Sequence, residues 1–241
     1  MTSSTCARPE HDGRAVASMF GRIVPWYDML NRVLSLGCDR FWRARLAEAA
    51  RPGSTGRILD LAAGTFDVAL ALCARYPDIT VPAVDFCLPM LQKGQSKLRG
   101  RKQKRILPIA CDATCLPLPD ACVDSVTMAF GIRNIQARRA AFTEMLRVLA
   151  PGGLACILEF GSGTERIWGG IYKLYLNRLL PGLGKLISGD DGAYAYLARS
   201  IRDFPDAVSL EKELRSAGFV RTRFEQIFSG IVCLHVAEKA Q

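Results

Sequence analysis

The chain has little histidine, no long uncharged apolar run and no internal repetition. Of its 241 residues only His11 and His235 are histidines, against nine cysteines. Cys111, Cys115 and Cys122 form the one cluster of cysteines. A structural metal site needs a fourth donor, and neither histidine lies near in sequence. Small buried thiols are the better reading, and no metal is expected. No stretch approaches the roughly 18 apolar residues that cross a bilayer, so no spanning helix is expected. Met1 to Arg22 carries charged and polar residues without an apolar centre, which argues against a secretory leader. Thiols without an export signal point to a reducing compartment, and a cytoplasmic location is expected. The lack of repeats and low-complexity tracts sets aside solenoids and linkers.

Acids are also scarce relative to bases: 23 Asp and Glu against 32 Lys and Arg give a net charge of +9. Such an excess suits an anionic partner. The densest run is Lys93, Lys97, Arg99, Arg101, Lys102, Lys104 and Arg105. A solvated helix end, with cations complementing the C-terminal dipole, explains this run first. Contact with anionic lipid comes second and nucleic acid last.

The length fits one α/β domain with an appendage. Residues 1–15 read as disordered, and 16–50 as a cap of helices broken near Pro25 and Gly37. From residue 51 strands and helices alternate. Strands are expected at Arg57–Leu61, Thr80–Asp85, Ile106–Ala110, Val123–Phe130 and Leu154–Glu159, and Pro82 makes the second irregular. Helices are expected at Val68–Tyr76, Leu88–Leu98 and Gln136–Leu149. This alternation predicts a parallel sheet with right-handed crossovers. A helical insertion over about 165–205 follows, with helices at Arg166–Leu180 and Tyr194–Arg202. Ile167 to Leu180 is apolar around most of its circumference, which suits a buried helix, a lid over a greasy substrate or an interfacial helix. A capped helix at Ser209–Ala217 and a hairpin around Ser229-Gly230 complete the chain.

The most informative stretch is Ile58-Leu59-Asp60-Leu61-Ala62-Ala63-Gly64-Thr65-Phe66-Asp67, read with Val84-Asp85-Phe86. An apolar run ends in an acid, opens into a small-residue turn and leads into a helix. A second apolar run ends in Asp85, placed to grip ribose hydroxyls. Asp60 and Asp67 would lie near the helix N-terminus, where they would repel a diphosphate. They would suit a cationic ligand carrying an ammonium and a sulfonium, such as S-adenosyl-L-methionine.

Several further blocks resemble the quinone-ring C-methyltransferases of menaquinone and ubiquinone synthesis. Tyr27-Asp28, Asn31, Ser35, Gly37, Asp39 and Trp42-Arg43 are similar to that family's N-terminal block. Leu59-Asp60-Leu61-Ala62 with Gly64-Thr65 resembles its cofactor loop, and Asp112-Ala113 its adenine-side loop. Phe130-Gly131-Ile132-Arg133-Asn134 and the Tyr194, Tyr196-Leu197, Ser200-Ile201 block carry the narrower likeness. Gly230-Ile231-Val232 and Leu234-His235 match the terminal hairpin. The resemblance spans about Tyr27 to Lys239. It implies a Rossmann-like class I methyltransferase, with a seven-stranded, mostly parallel sheet and a terminal antiparallel hairpin. Residues 51–241 would form that domain. The implied cofactor is S-adenosyl-L-methionine, bound by Asp60, Gly64, Thr65, Asp85, Phe86, Asp112, Ala113 and Ala129. The implied acceptor is a polyprenylated quinol, demethylmenaquinol before the benzoquinol of the ubiquinone pathway. Tyr194 and Tyr196 would line its pocket. Work on such substrates brings a weak, peripheral contact with the inner face of an anionic membrane; a homo-oligomer is left open.

The chemistry is displacement at the methyl carbon of a sulfonium. A carbon acceptor must also be made electron-rich. Ionising a quinol hydroxyl with a pKa near that of Tyr costs roughly 4 kcal/mol at pH 7. Arg133 is expected to favour the quinolate and Asn134 to orient it. Each residue also has a plainer role. Asp60 and Thr65 can cap the turn, Asp112 can form an Asx turn, Arg133 can pair with a carboxylate and His235 can pack in the core. One departure stands out: the family has glycine where this chain has Phe66, and commonly where it has Ala63. A phenyl group there would fill the space of the methionine tail, the favoured expectation, or swing over the site. If it obstructs, a non-catalytic protein of this fold is the alternative. A nucleic-acid methyltransferase is disfavoured, because Phe130-Gly131 carries no Pro-Pro-aromatic motif and no Pro-Cys nucleophile appears.

Overall fold

A computed structural model describes residues 11–100, 102–161 and 191–241. Helices α1 (His11–Ile23), α2 (Tyr27–Leu34) and α3 (Asp39–Ala49) precede the sheet. Helix α1 thus begins inside the stretch expected to be disordered. The alternating part runs β1 (Ile58–Leu61), α4 (Asp67–Arg75), β2 (Val81–Asp85), α5 (Leu88–Ser96), a short turn of helix α6 (Lys102–Arg105), β3 (Ile106–Ala110), β4 (Val123–Ala129), α7 (Arg138–Val148) and β5 (Leu149–Phe160). Then come α8 (Asp191–Asp203), α9 (Ala207–Ala217), β6 (Arg221–Ile227) and β7 (Val232–Glu238). The expected lid helix at 166–180 lies outside the described residues, as do residues 1–10.

The sheet has seven strands in the order β3-β2-β1-β4-β5-β7-β6. Neighbours from β3 to β5 pair parallel, and β7 runs antiparallel to both β5 and β6. This is the sheet that the resemblance implied. Pro82 does not break β2: the register with β3 runs through Pro82–Leu107. It has no N–H for β1, and β1–β2 pairing is confined to Asp60–Ala83 and Leu61–Val84. Strand β5 is longer than the pattern suggested. The Pro151-Gly152-Gly153 segment, read as a turn, lies inside it, beside a register shift at Val123/Ser125.

Side-chain alternation along β1 divides the core. Ile58 joins Trp42 and Leu46 of α3, Leu72 of α4 and Leu91 of α5 on one face. Leu59 and Leu61 join Phe142 and Met145 of α7 and Leu210 and Leu214 of α9 on the other. Helix α9 starts at Asp206, whose carboxylate accepts the Ser209 N–H at 2.8 Å, and ends at left-handed Gly218. A satellite cluster of Met19, Ile23, Leu30 and Ala198 packs α1 and α2 against α8. His235 is a core residue. Its Nε2 lies 3.0 Å from the Ala207 carbonyl, and burial lowers its pKa.

Candidate active site

Strands β1 and β4 lie side by side where the order of crossovers reverses. Open parallel sheets bind ligands beyond the carboxyl ends of their strands at such a point. Here that edge gathers the loop 62–66, Asp85-Phe86 and the segment 129–134. Three non-glycine residues at it adopt left-handed backbone: Ala62 (φ 56°), Phe66 (φ 69°) and Phe130 (φ 57°). Each costs on the order of 1–3 kcal/mol and persists only where its surroundings over-determine it.

Asp85 is held at this edge by backbone amides. Its Oδ2 accepts the Gly64 N–H at 2.8 Å and its Oδ1 accepts the Cys87 N–H at 2.8 Å. Burial raises its pKa, while the amides of Cys87, Gly64 and Phe86 pull it back. Gly64 has φ 53°, and a Cβ on it would meet nothing within 4 Å. A bare, left-handed turn therefore borders open space beside a fixed carboxylate, a setting that fits a nucleoside with ribose hydroxyls. Phe86 exposes its ring next to Asp85. The Cys111 N–H bonds the Asp85 carbonyl at 3.2 Å, which brings Asp112 and Ala113 alongside. Asp112 forms an Asx turn: its Oδ1 accepts the Thr114 N–H at 2.8 Å and hydroxyl at 2.7 Å. Ala129, half-buried, ends β4 at the same edge.

Three neighbouring residues are placed otherwise than expected. Asp60 is 0 % exposed; its Oδ2 accepts the Ala69 N–H at 3.0 Å, and its Oδ1 lies 3.2 Å from the Thr127 hydroxyl. Burial pushes its pKa to about 7. It supports the loop from beneath and offers no surface to a ligand. Thr65 is buried, and its hydroxyl donates to Asp28 and accepts from Lys97 at 3.0 Å. It ties the loop to α2 rather than capping α4, whose N-cap is Phe66. Asp67 pairs with Lys97 at 2.8 Å and Arg43 at 3.3 Å. Neither Asp60 nor Asp67 therefore presents an unpaired charge to a cationic ligand. Phe66 also departs from both expected fates. Its ring is fully buried in the core with Leu72 and Leu91, and it neither fills nor covers the opening.

Arg133 sits in a short turn of 3-10 helix, Ile132–Asn134, after β4. Its Nη1 donates to Glu159 Oε1 at 2.6 Å and to the Phe130 carbonyl at 2.6 Å. Its guanidinium lies 5.3 Å from the centre of the Phe160 ring. The plainer role expected of Arg133, pairing with a carboxylate, is present here as a buried ion pair, and its Nε is buried with no partner among the described residues. Asn134 Oδ1 accepts the Tyr196 hydroxyl at 3.0 Å, so Tyr196 orients Asn134. Tyr194 belongs to α8, but its side chain lies outside the described residues.

Sequence reasoning gave no role to four residues that meet here. Tyr27, on α2, has its phenol pKa raised by burial, against a hydrogen bond to Asn31 and the nearby charges of Arg43 and Arg133. Asp28 and Lys97 clasp the loop 62–66 through Thr65, and Glu159 holds Arg133. Tyr27 and Asp28 stand in a block that the resemblance marked, which was the one available signal. The basic run proves partly structural. Lys97 is paired, and Arg105 donates to the carbonyls of Cys73, Tyr76 and Pro77, which finish α4.

The family described as the ubiE/COQ5 methyltransferase family matches residues 8–239. A demethylmenaquinone methyltransferase of Deinococcus radiodurans is 43% identical over 227 residues, covering 94% of this chain and 93% of the relative. A ubiquinone/menaquinone biosynthesis C-methyltransferase UbiE of Geobacter sulfurreducens is 40% identical over 237 residues, 98% of this chain and 92% of the relative. Among solved structures, a SAM-dependent methyltransferase of Thermotoga maritima has a TM-score of 0.63 at 15% identity, over 92% of this chain and 98% of the other. That likeness is one of fold.

Proposed function

This chain belongs to the ubiE/COQ5 methyltransferase family, and we propose that it methylates a ring carbon of demethylmenaquinol to give menaquinol. It is a S-adenosyl-L-methionine-dependent C-methyltransferase of quinone biosynthesis. The observation that carries the reading is the fixed Asp85 carboxylate beside the open Gly64 turn, at the edge where Arg133 and Asn134 converge.

When bound, the cofactor supplies an electrophilic methyl group on a sulfonium. Asp85 would accept the ribose hydroxyls, and its amide contacts from Gly64 and Cys87 keep it from rotating away. The exposed Phe86 and the Asp112–Ala113 turn would hold the adenine end of the cofactor. Arg133, its guanidinium buried and paired with Glu159, would favour charge on the quinol oxygen as the hydroxyl proton, and then the ring proton that the methyl replaces, pass to water. The Glu159 pair fixes the guanidinium's orientation and reduces its net charge, so direction contributes more than field strength. Asn134, oriented by Tyr196, steadies the same oxygen. Close alignment of donor and acceptor supplies much of the acceleration.

Purified protein with methyl-labelled cofactor and a prenylated demethylnaphthoquinol should give a ring carrying one labelled methyl, read by mass analysis. A parallel benzoquinol arm tests the ubiquinone pathway, the reading that the Geobacter relative's name keeps open. Label on the benzoquinol alone would move the assignment to that pathway, and label on neither would overturn it.

The reading extends to a peripheral contact with anionic membrane. It is supported by the exposed Trp26 at the N-cap of α2 and Met29 and Val33 on α2, at helical spacing, by Leu36, 89% exposed, and by the net charge of +9. Among the described residues, no helix is long and apolar enough to cross a membrane. Vesicles with anionic lipid should bind the protein and release it in salt. Equal binding to neutral vesicles would refute this.

A further inference from the structure

Lys97 follows α5 directly and reaches three elements with one ammonium. Its Nζ lies 2.8 Å from Asp28 Oδ2 on α2, 3.0 Å from Thr65 Oγ1 in the cofactor loop and 2.8 Å from Asp67 Oδ1 in the first turn of α4. An ammonium has three donors, and here each has an acceptor. Thr65 donates in turn to Asp28 Oδ1, so both oxygens of Asp28 are used and the ring of contacts closes. Asp67 Oδ2 faces Arg43, which is paired with Asp39, and Asp39 also accepts from Arg32 and Ser35. The network runs from the cofactor loop through α2 to α3.

From this geometry we propose that Lys97 is a positioning residue, a latch that holds α2 against the cofactor loop and so sets cofactor affinity. The inference rests on the reading of this cleft as the methyl-donor site. Thr65 adjoins Gly64, whose N–H fixes Asp85. The same loop contains left-handed Ala62 and Phe66, which stay in place only if held from several sides. The latch is one such hold. Without the ammonium, Asp28 and Asp67 would present two carboxylate oxygens that now both lie 2.8 Å from one nitrogen. Their repulsion would drive α2 from the loop. Helix α2 also carries Tyr27, so the latch places a phenol beside the cleft together with the loop.

Lys97→Met should weaken S-adenosyl-L-methionine binding roughly tenfold by calorimetry, the size of one lost charged contact. The KM for the cofactor should rise in proportion, while kcat at saturating cofactor stays within about threefold, because saturation re-forms the loop. Amide exchange over 27–34 should speed up without the cofactor and slow again with it. Lys97→Arg should recover most of the affinity. Asp28→Asn, which keeps the ammonium, should weaken binding in the same direction by less, and it serves should Lys97→Met not fold. A lower kcat with unchanged KM and unchanged exchange over 27–34 would make Lys97 structural only and overturn the latch. Failure of the parent protein to bind the cofactor would instead overturn the reading of the site.

Discussion

The phenyl ring of Phe66 occupies the place where Gly94 lacks a side chain. A Cβ built on Gly94 would sit 2.5 Å from Phe66 Cδ2. Phe66 stands in the cofactor turn at φ 69° and Gly94 lies on α5, yet the two are fitted to each other. The turn therefore accommodates a large residue because the next helix has made room for it, and the ring is fully buried in the core.

This pairing predicts an interaction measurable in a double-mutant cycle. Phe66→Gly should leave cofactor affinity within a fewfold. It should cost roughly 3–5 kcal/mol of buried packing, offset by about 1 kcal/mol of relieved backbone strain. Gly94→Ala should destabilise the protein, because ring or helix must shift. Combining the two should cost less than their sum, as measured by chemical denaturation. Strict additivity would show that the ring has another place to go.

Asp60 makes stability pH-dependent. Its folded pKa of about 7 lies above the ordinary carboxylate value because burial disfavours the charge. Between about pH 4 and 7 the folded state therefore binds more protons than the unfolded state, and stability falls as pH rises through that window. The protonated acid can donate from Oδ1 to the Thr127 hydroxyl, which then donates to the Leu59 carbonyl, 3.2 Å away. Asp60→Asn can make the same bonds. It should match the parent near pH 4 and exceed it above pH 7, by up to roughly 4 kcal/mol. Denaturation curves at the two pH values check this; an asparagine variant less stable than the parent above pH 7 would contradict it.

Asp85 is the carboxylate on which cofactor affinity should depend most. Asp85→Ala removes an acceptor for ribose and leaves the Gly64 and Cys87 amides without theirs. Binding should weaken at least tenfold, since charge-assisted bonds contribute roughly 1.5–3 kcal/mol each. Calorimetry measures it, and unchanged affinity would remove Asp85 from the site.

Removing Arg133 alone should damage the fold as well as catalysis. Arg133→Ala leaves Glu159 buried without its cation, a loss of roughly 3–5 kcal/mol. Arg133→Met with Glu159→Gln should restore much of the stability but keep turnover about a hundredfold or more below the parent. Cofactor binding should survive in the double variant. Parent-level turnover there would assign Arg133 to structure.

Chain-local signals determined much of this protein. Apolar runs, the small-residue turn and the spacing of acids placed the strands, most of the helices and Asp85, because backbone periodicity and turn chemistry act over a few residues. The blocks from Tyr27 to Lys239 pointed to the family for the same reason: each is contiguous. Tertiary structure alone decided which charges are available. Asp67 reads as an acid facing a ligand until Lys97 and Arg43 arrive from distant segments, and whether Arg133 faces a ligand or a carboxylate is open until β5 brings Glu159. It also decided that Asp60 is buried and that Phe66 turns inward. Burial and pairing depend on which segments the sheet order makes neighbours, and the free volume beside Gly94 exists only once α5 has packed against the turn.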